Sequence, residues 1–249
     1  MQLLGIDLGT SSVKVLVLTL EGRILGESFA EYPIRYPKPT YAEQNPEEWW
    51  QALVGAVRAA IEAEQVSPEA IAGISLSGQM HGTVLLDEGG KVLAPAIIWP
   101  DQRSHQQVNE IGELFGDERL VSITGSQVAT GFQAATIRWL QQEDSGLWRQ
   151  VSMIMTPKTY LLRRMTGQQL IDPSDGSGTL LLDVNRRDWS SEILQLLNIE
   201  PDQMPAVVPS DSVAGTLIPS VAEALGLPSD IPVVTGAADT ACGLLGAGV

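Results

Sequence analysis

Short apolar runs separated by turn residues dominate the first third of the chain, and this pattern is typical of β-strands. Residues 3–7 form one such run, residues 8–12 interrupt it, and residues 13–18 resume it. The pattern predicts a β-hairpin whose tip consists of small residues. A third strand is predicted over residues 23–34, and prolines at positions 33, 37 and 39 indicate an extended loop after it.

A helix is predicted to begin at Asn45, because a capping residue is followed there by a proline and two acids. Apolar residues then recur at helical spacing up to residue 61. Further strands are predicted over residues 70–76, 83–86, 96–99, 213–218 and 231–235. Residues 103–167 are mainly helical in pattern, as are 190–197, 219–225 and the Gly- and Ala-rich end of the chain. Strands that alternate with helices predict an α/β layer fold with mostly helical insertions.

Length, charge and cysteine content limit the number of domains, the classes of partner and the cellular location. A chain of 249 residues fits one broad domain with insertions. The net charge of −15 and the scattered cations argue against nucleic acid or an anionic membrane as a partner. Cys242 is the only cysteine, no apolar run approaches the roughly 20 residues of a membrane span, and no secretory signal pattern precedes the first strand. We therefore expect a cytoplasmic protein.

The tip of the predicted hairpin is a candidate phosphate site. A strand that ends in a carboxylate, Asp7, and turns through Gly, Thr and Ser presents backbone N–H groups and hydroxyls to one point. Asp7 is also suited to orient hydrated Mg²⁺. The alternative is an ordinary turn whose polar side chains satisfy its own amides. The candidate phosphate contacts are Gly9, Thr10, Ser11, Ser12 and Lys14.

Two segments at strand ends, residues 78–82 and 99–103, carry groups suited to a polyol. Flanking glycines allow close approach of a ligand in the first segment, and the second combines an aromatic face with a carboxylate and a guanidinium. The alternatives are a polar loop for the first segment and a capped helix start, with Trp99 in the core, for the second. The candidate substrate contacts are Gln79, Met80, His81, Trp99, Asp101 and Arg103.

Asp239 follows an apolar strand and Gly236 and falls at the start of the last predicted helix. The helix dipole keeps a carboxylate ionised at this position, so Asp239 is a candidate proton acceptor for phosphoryl transfer. The alternative is that it only caps the helix.

The order of these motifs resembles that of FGGY-family carbohydrate kinases from the first strand to the last residue. The opening hairpin, residues 5–14, resembles the family's phosphate hairpin, and residues 78–82 resemble the substrate loop of its xylulokinase branch, where glycerol kinases carry Arg-Glu in place of Met80-His81. Residues 43–50, 99–103, 157–161 and 236–239 are further matches. Pro100 and Thr240 depart from the residues that relatives often carry there.

The resemblance implies an actin-like ATPase, or ribonuclease-H-like, α/β domain. It implies ATP and Mg²⁺ as cofactors, with Asp7 assisting Mg²⁺ and phosphate, Thr10 and Ser11 contacting phosphates, and Asp239 as the catalytic base. The expected reaction is phosphorylation of a pentulose, foremost D-xylulose at its C5 hydroxyl. Ribulose, fuculose, gluconate or glycerol as substrates, and a non-catalytic sugar-binding domain, are the alternatives.

The resemblance also has a consequence for domain organisation. Residues 1–249 would be the N-terminal, sugar-binding domain, and a C-terminal domain that clamps the nucleotide would be absent from this chain. On its own this domain is then expected to be inactive. The expected partner is a small-molecule sugar, and a homodimer stays an open alternative.

Overall fold

A computed structural model describes all 249 residues. Fourteen strands, several of them only two residues long, follow one another along the chain: β1 (Gln2–Leu8), β2 (Ser12–Thr19), β3 (Ile24–Glu31), β4 (Glu43–Gln44), β5 (Ile71–Gly78), β6 (Val84–Leu86), β7 (Ala96–Ile97), β8 (Met153–Met155), β9 (Leu170–Ile171), β10 (Leu182–Asp183), β11 (Asp188–Trp189), β12 (Ala206–Val207), β13 (Val213–Thr216) and β14 (Pro232–Ala238).

Ten α-helices lie between or after these strands: α1 (Pro46–Ile61), α2 (His105–Phe115), α3 (Asp117–Thr124), α4 (Gln133–Glu143), α5 (Ser145–Trp148), α6 (Pro157–Thr166), α7 (Pro173–Ser177), α8 (Ser191–Leu196), α9 (Pro219–Leu225) and α10 (Asp239–Gly246). Two single 3-10 turns cover Pro68–Ala70 and Pro201–Gln203. None of the helices is both long enough and apolar enough to cross a membrane.

Six strands form the central sheet in the order β13-β14-β5-β1-β2-β3. The first three strands of the chain form an antiparallel meander, and β5 and then β14 add to it parallel to β1. β13 closes the far edge antiparallel to β14. Because β1, β5 and β14 are parallel, their carboxyl ends lie along one edge of the sheet, where ligands bind in open α/β sheets.

One face of this sheet is covered and the other is largely open. Alternate residues of β1 and β2 point into a hydrophobic core that also includes apolar residues of α1, α6 and α9. The opposite face carries Gly5, Asp7 and Lys14, and α10 is the helix that contacts β14 and β5 there. A second hydrophobic core joins β8 to the helices between residues 105 and 197. The insertion therefore folds around its own core beside the sheet.

The structure confirms most of the predicted elements. The hairpin, α1 and α9 are present, and the side chain of Asn45 accepts the N–H of Glu47 as the predicted cap. The central segment contains β8 as well as the predicted helices. The short strands β4 and β9 to β12 and the helix α7 were not predicted. A strand of two residues is too short to show the alternating pattern from which strands are predicted.

Candidate functional site

Three adjacent strands of the sheet end at the same level. In the register of the sheet, Gly78 at the end of β5 lies opposite Leu8 at the end of β1 and Ala238 at the end of β14. Neighbouring strands lie about 4.8 Å apart, so the segments that follow them begin within roughly 10 Å of one another. These segments are the hairpin tip, the loop with Met80 and His81, and Asp239 at the start of α10. The fold therefore brings the three candidate motifs to one edge.

The hairpin tip, residues 9–12, exposes hydrogen-bond donors and hides its acceptors. All four carbonyl oxygens of the tip accept hydrogen bonds from within the protein, two of them from Tyr32, one from Gln44 and one from the N–H of Gly9. The N–H groups of Thr10 and Ser11 donate to no protein acceptor. A turn with this polarity is suited to an anion such as a phosphate.

Tyr32 helps to fix this tip. Its hydroxyl donates to the carbonyl oxygen of Gly9 at 2.5 Å. Burial, and then the nearby charge of Asp7, raise the pKa of Tyr32 far above its ordinary value. The hydroxyl therefore remains a donor at neutral pH and keeps the carbonyl of Gly9 turned away from the tip.

Asp7 and Lys14 lie opposite each other on β1 and β2, so their side chains share the open face of the sheet. Both line a groove of about 750 Å³, together with Ser77 of β5 and Cys242 of α10. The Oδ1 atom of Asp7 is buried and has no hydrogen-bond partner. One carboxylate with a vacant oxygen fits Mg²⁺, which commonly binds through one or two carboxylates, waters and substrate phosphates. No cluster of three or more His, Cys, Asp or Glu side chains is arranged to hold a metal ion without such phosphates.

His81 adopts a left-handed backbone conformation with φ of 70°, which is uncommon for a residue other than glycine. Its ring packs on Phe132 with the centroids 4.1 Å apart, and its Nδ1 atom lies 2.6 Å from the carbonyl oxygen of Gly178. Burial lowers the pKa of His81, although the bond to Gly178 and the charge of Asp239 act in the opposite direction. Strained conformations of this kind concentrate at functional sites.

Trp99 is about half exposed, and its indole N–H donates to the Thr10 hydroxyl at 2.9 Å. Gly131 has a φ of 80°, and a Cβ atom there would collide with the carbonyl group of Trp99. Trp99 is thus held against the hairpin tip, and the alternative of Trp99 as a core residue is wrong.

Asp239 is the first residue of α10 and is half-buried. Its Oδ1 atom accepts only from the N–H and hydroxyl of its neighbour Thr240, so Oδ2 is left without a protein partner. Gly236, with φ of 73°, approaches β5 so closely that a Cβ atom would overlap the carbonyl oxygen of Leu76. The sharp approach of β14 to β5 at this glycine determines where Asp239 emerges.

Asp101 and Arg103 occupy a different position from the one expected of sugar contacts. Asp101 is 1% exposed, and its carboxylate accepts the N–H of Ala42 at 2.6 Å and both the N–H and the guanidinium of Arg103. The guanidinium also pairs with Glu43 and packs on the Tyr41 ring. Every oxygen of Asp101 is occupied, so the pair holds the loop before α2 and is not free for a ligand.

Gln79 is also buried, with 1% exposure, and its amide donates to Gln44 at 3.0 Å. Gln44 in turn donates to the carbonyl oxygen of Thr10 at 2.7 Å. Gln79 therefore supports the hairpin tip from below, whereas Met80 and His81 reach the edge of the sheet.

The segment that contains α7 was not singled out from the sequence, although it contacts two of the motifs. A Cβ atom on Gly178 would touch the Met80 and His81 side chains, and the hydroxyl of Ser174 accepts the N–H of Ala238 at 2.9 Å. Asp172 and Asp175 of this segment are fully buried beside Lys158. The only signal in the sequence was the run of Asp and Ser after residue 171. It does not reveal that the two carboxylates are buried, a state in which they need a cationic partner.

Known proteins resemble this chain over nearly its whole length. The family model described as the FGGY family of carbohydrate kinases, N-terminal domain, matches residues 2–246. The chain belongs to the FGGY family of carbohydrate kinases. The family resemblance inferred from the motifs is thus confirmed.

This FGGY domain is 40% identical over 246 residues to a xylulose kinase of Bacillus subtilis (strain 168) and 39% identical over 246 residues to one of Escherichia coli (strain K12). These matches cover 99% of the chain and 49% and 50% of the two relatives. The crystal structure of a xyloylose kinase from Brucella ovis superimposes with a TM-score of 0.91 at 36% identity, over 97% of this chain and 49% of that one. The FGGY domain therefore has the expected actin-like ATPase fold and spans about half the length of the curated relatives that it matches.

Proposed function

We propose that this FGGY domain is the sugar-binding part of an ATP-dependent pentulose kinase that converts D-xylulose to D-xylulose 5-phosphate. The observation that carries the proposal is the alignment of Leu8, Gly78 and Ala238 across three parallel strands. This alignment assembles a donor-rich hairpin tip, a loop with polar and apolar contacts, and a carboxylate with a free oxygen. The similarity to xylulose kinases supports D-xylulose as the substrate.

Asp239 is the proposed catalytic base. Its Oδ2 atom takes the proton of the sugar hydroxyl, which is the C5 hydroxyl of D-xylulose, as that oxygen attacks the γ-phosphorus of ATP. The new bond joins the sugar oxygen to phosphorus, and the bond between the γ-phosphorus and the bridging oxygen of ADP breaks. The position at the start of α10 favours the ionised carboxylate that this role requires.

The nucleotide's phosphates would lie at the hairpin tip. The free N–H groups of Thr10 and Ser11 are proposed to donate to phosphate oxygens, and Gly9, Ser12 and Lys14 are proposed to line the same region. Mg²⁺, when bound, would neutralise phosphate charge, and Asp7 is the residue placed to hold its hydration shell. The groove beside Asp7 lies outside the His81 loop, so phosphate and sugar would contact different parts of the edge.

The sugar would be bound by Met80, His81 and Trp99. His81 must carry its proton on Nδ1 to donate to the carbonyl oxygen of Gly178, and its Nε2 atom is therefore an acceptor for a sugar hydroxyl. Burial keeps the ring neutral at pH 7, which preserves that acceptor.

Phosphoryl transfer depends on positioning and on charge stabilisation around the γ-phosphate, and one hairpin cannot enclose that group. We therefore propose that a second, nucleotide-clamping domain completes the enzyme. A non-catalytic sugar-binding domain is the competing function. The placement of Asp239 beside His81 argues for the enzyme, since a sensor needs no base.

The decisive experiment measures sugar-dependent ADP release by the kinase that contains this chain, with D-xylulose, ribulose, fuculose, gluconate and glycerol as separate substrates. We expect the largest kcat/KM with D-xylulose. A larger value with another sugar would correct the substrate but not the reaction. Sugar binding by calorimetry without ADP release from any member of the panel would show that the domain is a sensor.

A further inference from the structure

We propose that the buried network of Lys158, Asp172 and Ser174 positions Asp239 for catalysis. The proposal rests on the proposed function, because it assigns to the network the task of fixing the catalytic base. Lys158 and Asp172 are fully buried, and the Ser174 hydroxyl is engaged with Asp172 and Ala238, so we treat all three as positioning residues. The network reaches the strand that carries Asp239 at two points, one on each side of Gly236.

The first point of attachment is the carbonyl oxygen of Thr235. Between Val234 and Ala237, β14 contains one residue more than β5 does, which forms a β-bulge and takes Thr235 out of the regular pairing. The Nζ atom of Lys158 donates to the released carbonyl at 3.1 Å. Lys158 is fully buried, and this contact spans 77 positions of the sequence.

The second point of attachment is the N–H of Ala238, the residue directly before Asp239. This N–H donates to the Ser174 hydroxyl at 2.9 Å, and that hydroxyl donates in turn to Oδ2 of Asp172. The other oxygen of Asp172 lies 3.0 Å from Nζ of Lys158. Thr235 and Ala238 are therefore joined to each other through a continuous path of Lys158, Asp172 and Ser174.

The stretch between the two attachments is held on one side, where the N–H groups of Thr235 and Gly236 donate to the carbonyl oxygens of Ser212 and Ser210, and the network holds its two ends. Gly236 has a left-handed φ of 73°, and glycine has a wide choice of backbone conformations. A change of conformation there would rotate Ala238 and move the Asp239 carboxylate. Displacements of about 1 Å can cost roughly 100-fold in rate when a reacting group must meet its substrate.

Stability alone is a poor explanation for the network. Removing a lysine and carboxylates from water is costly, and apolar replacements of buried ion pairs are often neutral or stabilising. Directional hydrogen bonds to two backbone groups are what an apolar cluster cannot supply. The segment that contains α7 also contacts His81 through the carbonyl oxygen of Gly178. The position of the proposed base and that of the proposed sugar-binding loop therefore both depend on this segment.

Ser174→Ala is the most selective test, because it removes the link to Ala238 and leaves the charges of Lys158 and Asp172 in place. Ser210→Ala is the matched control, since the Ser210 hydroxyl donates to the same Asp172 oxygen at 3.2 Å but makes no hydrogen bond to β14, and the backbone bond from Gly236 to Ser210 is kept in the variant. In the kinase that contains this chain, we expect Ser174→Ala to lower kcat about 10-fold or more. The KM for the sugar should stay within about twofold, and Ser210→Ala should retain the parent kcat.

A second pair of variants covers the case in which Ser174→Ala does not fold. Ser174→Thr keeps the hydroxyl and Ser174→Val has nearly the same shape without it, so the threonine variant should have the higher kcat by a similar factor. The positioning role would be refuted if the wild-type kinase is active and kcat is equal for Ser174→Ala and Ser210→Ala, and equal for Ser174→Thr and Ser174→Val. If the wild-type kinase itself releases no ADP with any sugar, the proposed function is refuted. This outcome differs from the previous one, in which the wild-type kinase is active. A higher KM for the sugar with unchanged kcat in Ser174→Ala would also overturn the proposal, because the network would then act in sugar binding.

Discussion

The Nδ1 atom of His81 lies 2.6 Å from the carbonyl oxygen of Gly178, and this contact determines the protonation of the ring. A carbonyl oxygen can only accept, so Nδ1 carries the hydrogen and Nε2 carries the lone pair. The contact also joins the loop after β5 to the segment after α7, two parts of the chain that are 97 positions apart.

We expect His81→Phe to raise the KM for D-xylulose about 3- to 10-fold, which corresponds to one hydrogen bond of about 0.5–1.5 kcal/mol. Phenylalanine retains the packing on Phe132 and removes the Nε2 acceptor, together with the Nδ1 donor to Gly178. Steady-state kinetics with varied sugar will measure the change, and the exposed His105→Phe is a control that should leave KM unaltered. An unchanged KM in the His81 variant would exclude Nε2 as a sugar contact.

Asp239→Asn should lower kcat by about 10²–10⁴-fold, because general-base catalysis contributes a factor of this size. Sugar affinity should change little, since the amide has the shape of the carboxylate. Rapid-quench measurement of the phosphorylated sugar and calorimetry with the sugar separate the two effects. The exposed Asp230→Asn serves as the control for a lost surface charge, and a normal kcat in the Asp239 variant would remove this residue from the mechanism.

Asp7→Ala should raise the KM for Mg·ATP roughly 10-fold or more and leave the KM for the sugar nearly constant. The reason is the position of Asp7 on the open sheet face, beside the hairpin tip and outside the His81 loop. Glu27→Ala removes an acidic residue from the same groove and provides the matched control. If sugar affinity fell as much as nucleotide affinity did, the hairpin would contact the sugar and our assignment of the two regions would be reversed.

Asp175 should make the folded domain less stable as the pH rises. Burial raises the pKa of Asp175 from 3.8 to about 6, against the opposing charge of Lys158. Well below pH 3.8 the carboxyl is neutral in both the folded and the unfolded chain and has no effect on the free energy of unfolding. Above pH 6 the folded state must hold a buried charge, so stability that is present at low pH is lost between these values.

Asp175→Asn should remove this loss, which is on the order of 2–3 kcal/mol. The comparison is the difference in unfolding free energy between parent and variant, measured by urea denaturation from pH 4 to pH 7. The exposed Asp202→Asn is the control and should follow the parent. Parallel pH curves for the parent and Asp175→Asn would show that Asp175 is ionised throughout this range.

Local sequence patterns were enough to predict most of the secondary-structure elements and the polar groups at their ends. Two apolar runs separated by small turn residues predicted the hairpin, a cap and a proline predicted α1, and the small polar residues after three strands predicted the three motifs. These features depend on neighbours within a few positions of one another, so they are readable from a single sequence. The family resemblance added the order of the motifs, which no single motif supplied.

Which of these polar residues are free to bind a ligand depends on contacts between distant parts of the chain. Asp101 accepts from Ala42, 59 positions away, and Lys158 donates to Thr235, 77 positions away. The first contact withdraws a predicted sugar ligand, and the second reveals a support for Asp239. The residue type of a charged side chain does not tell whether it faces a ligand or a buried partner. Its role depends on burial and on pairing between distant segments, and both arise only when the sheet and the insertion pack together.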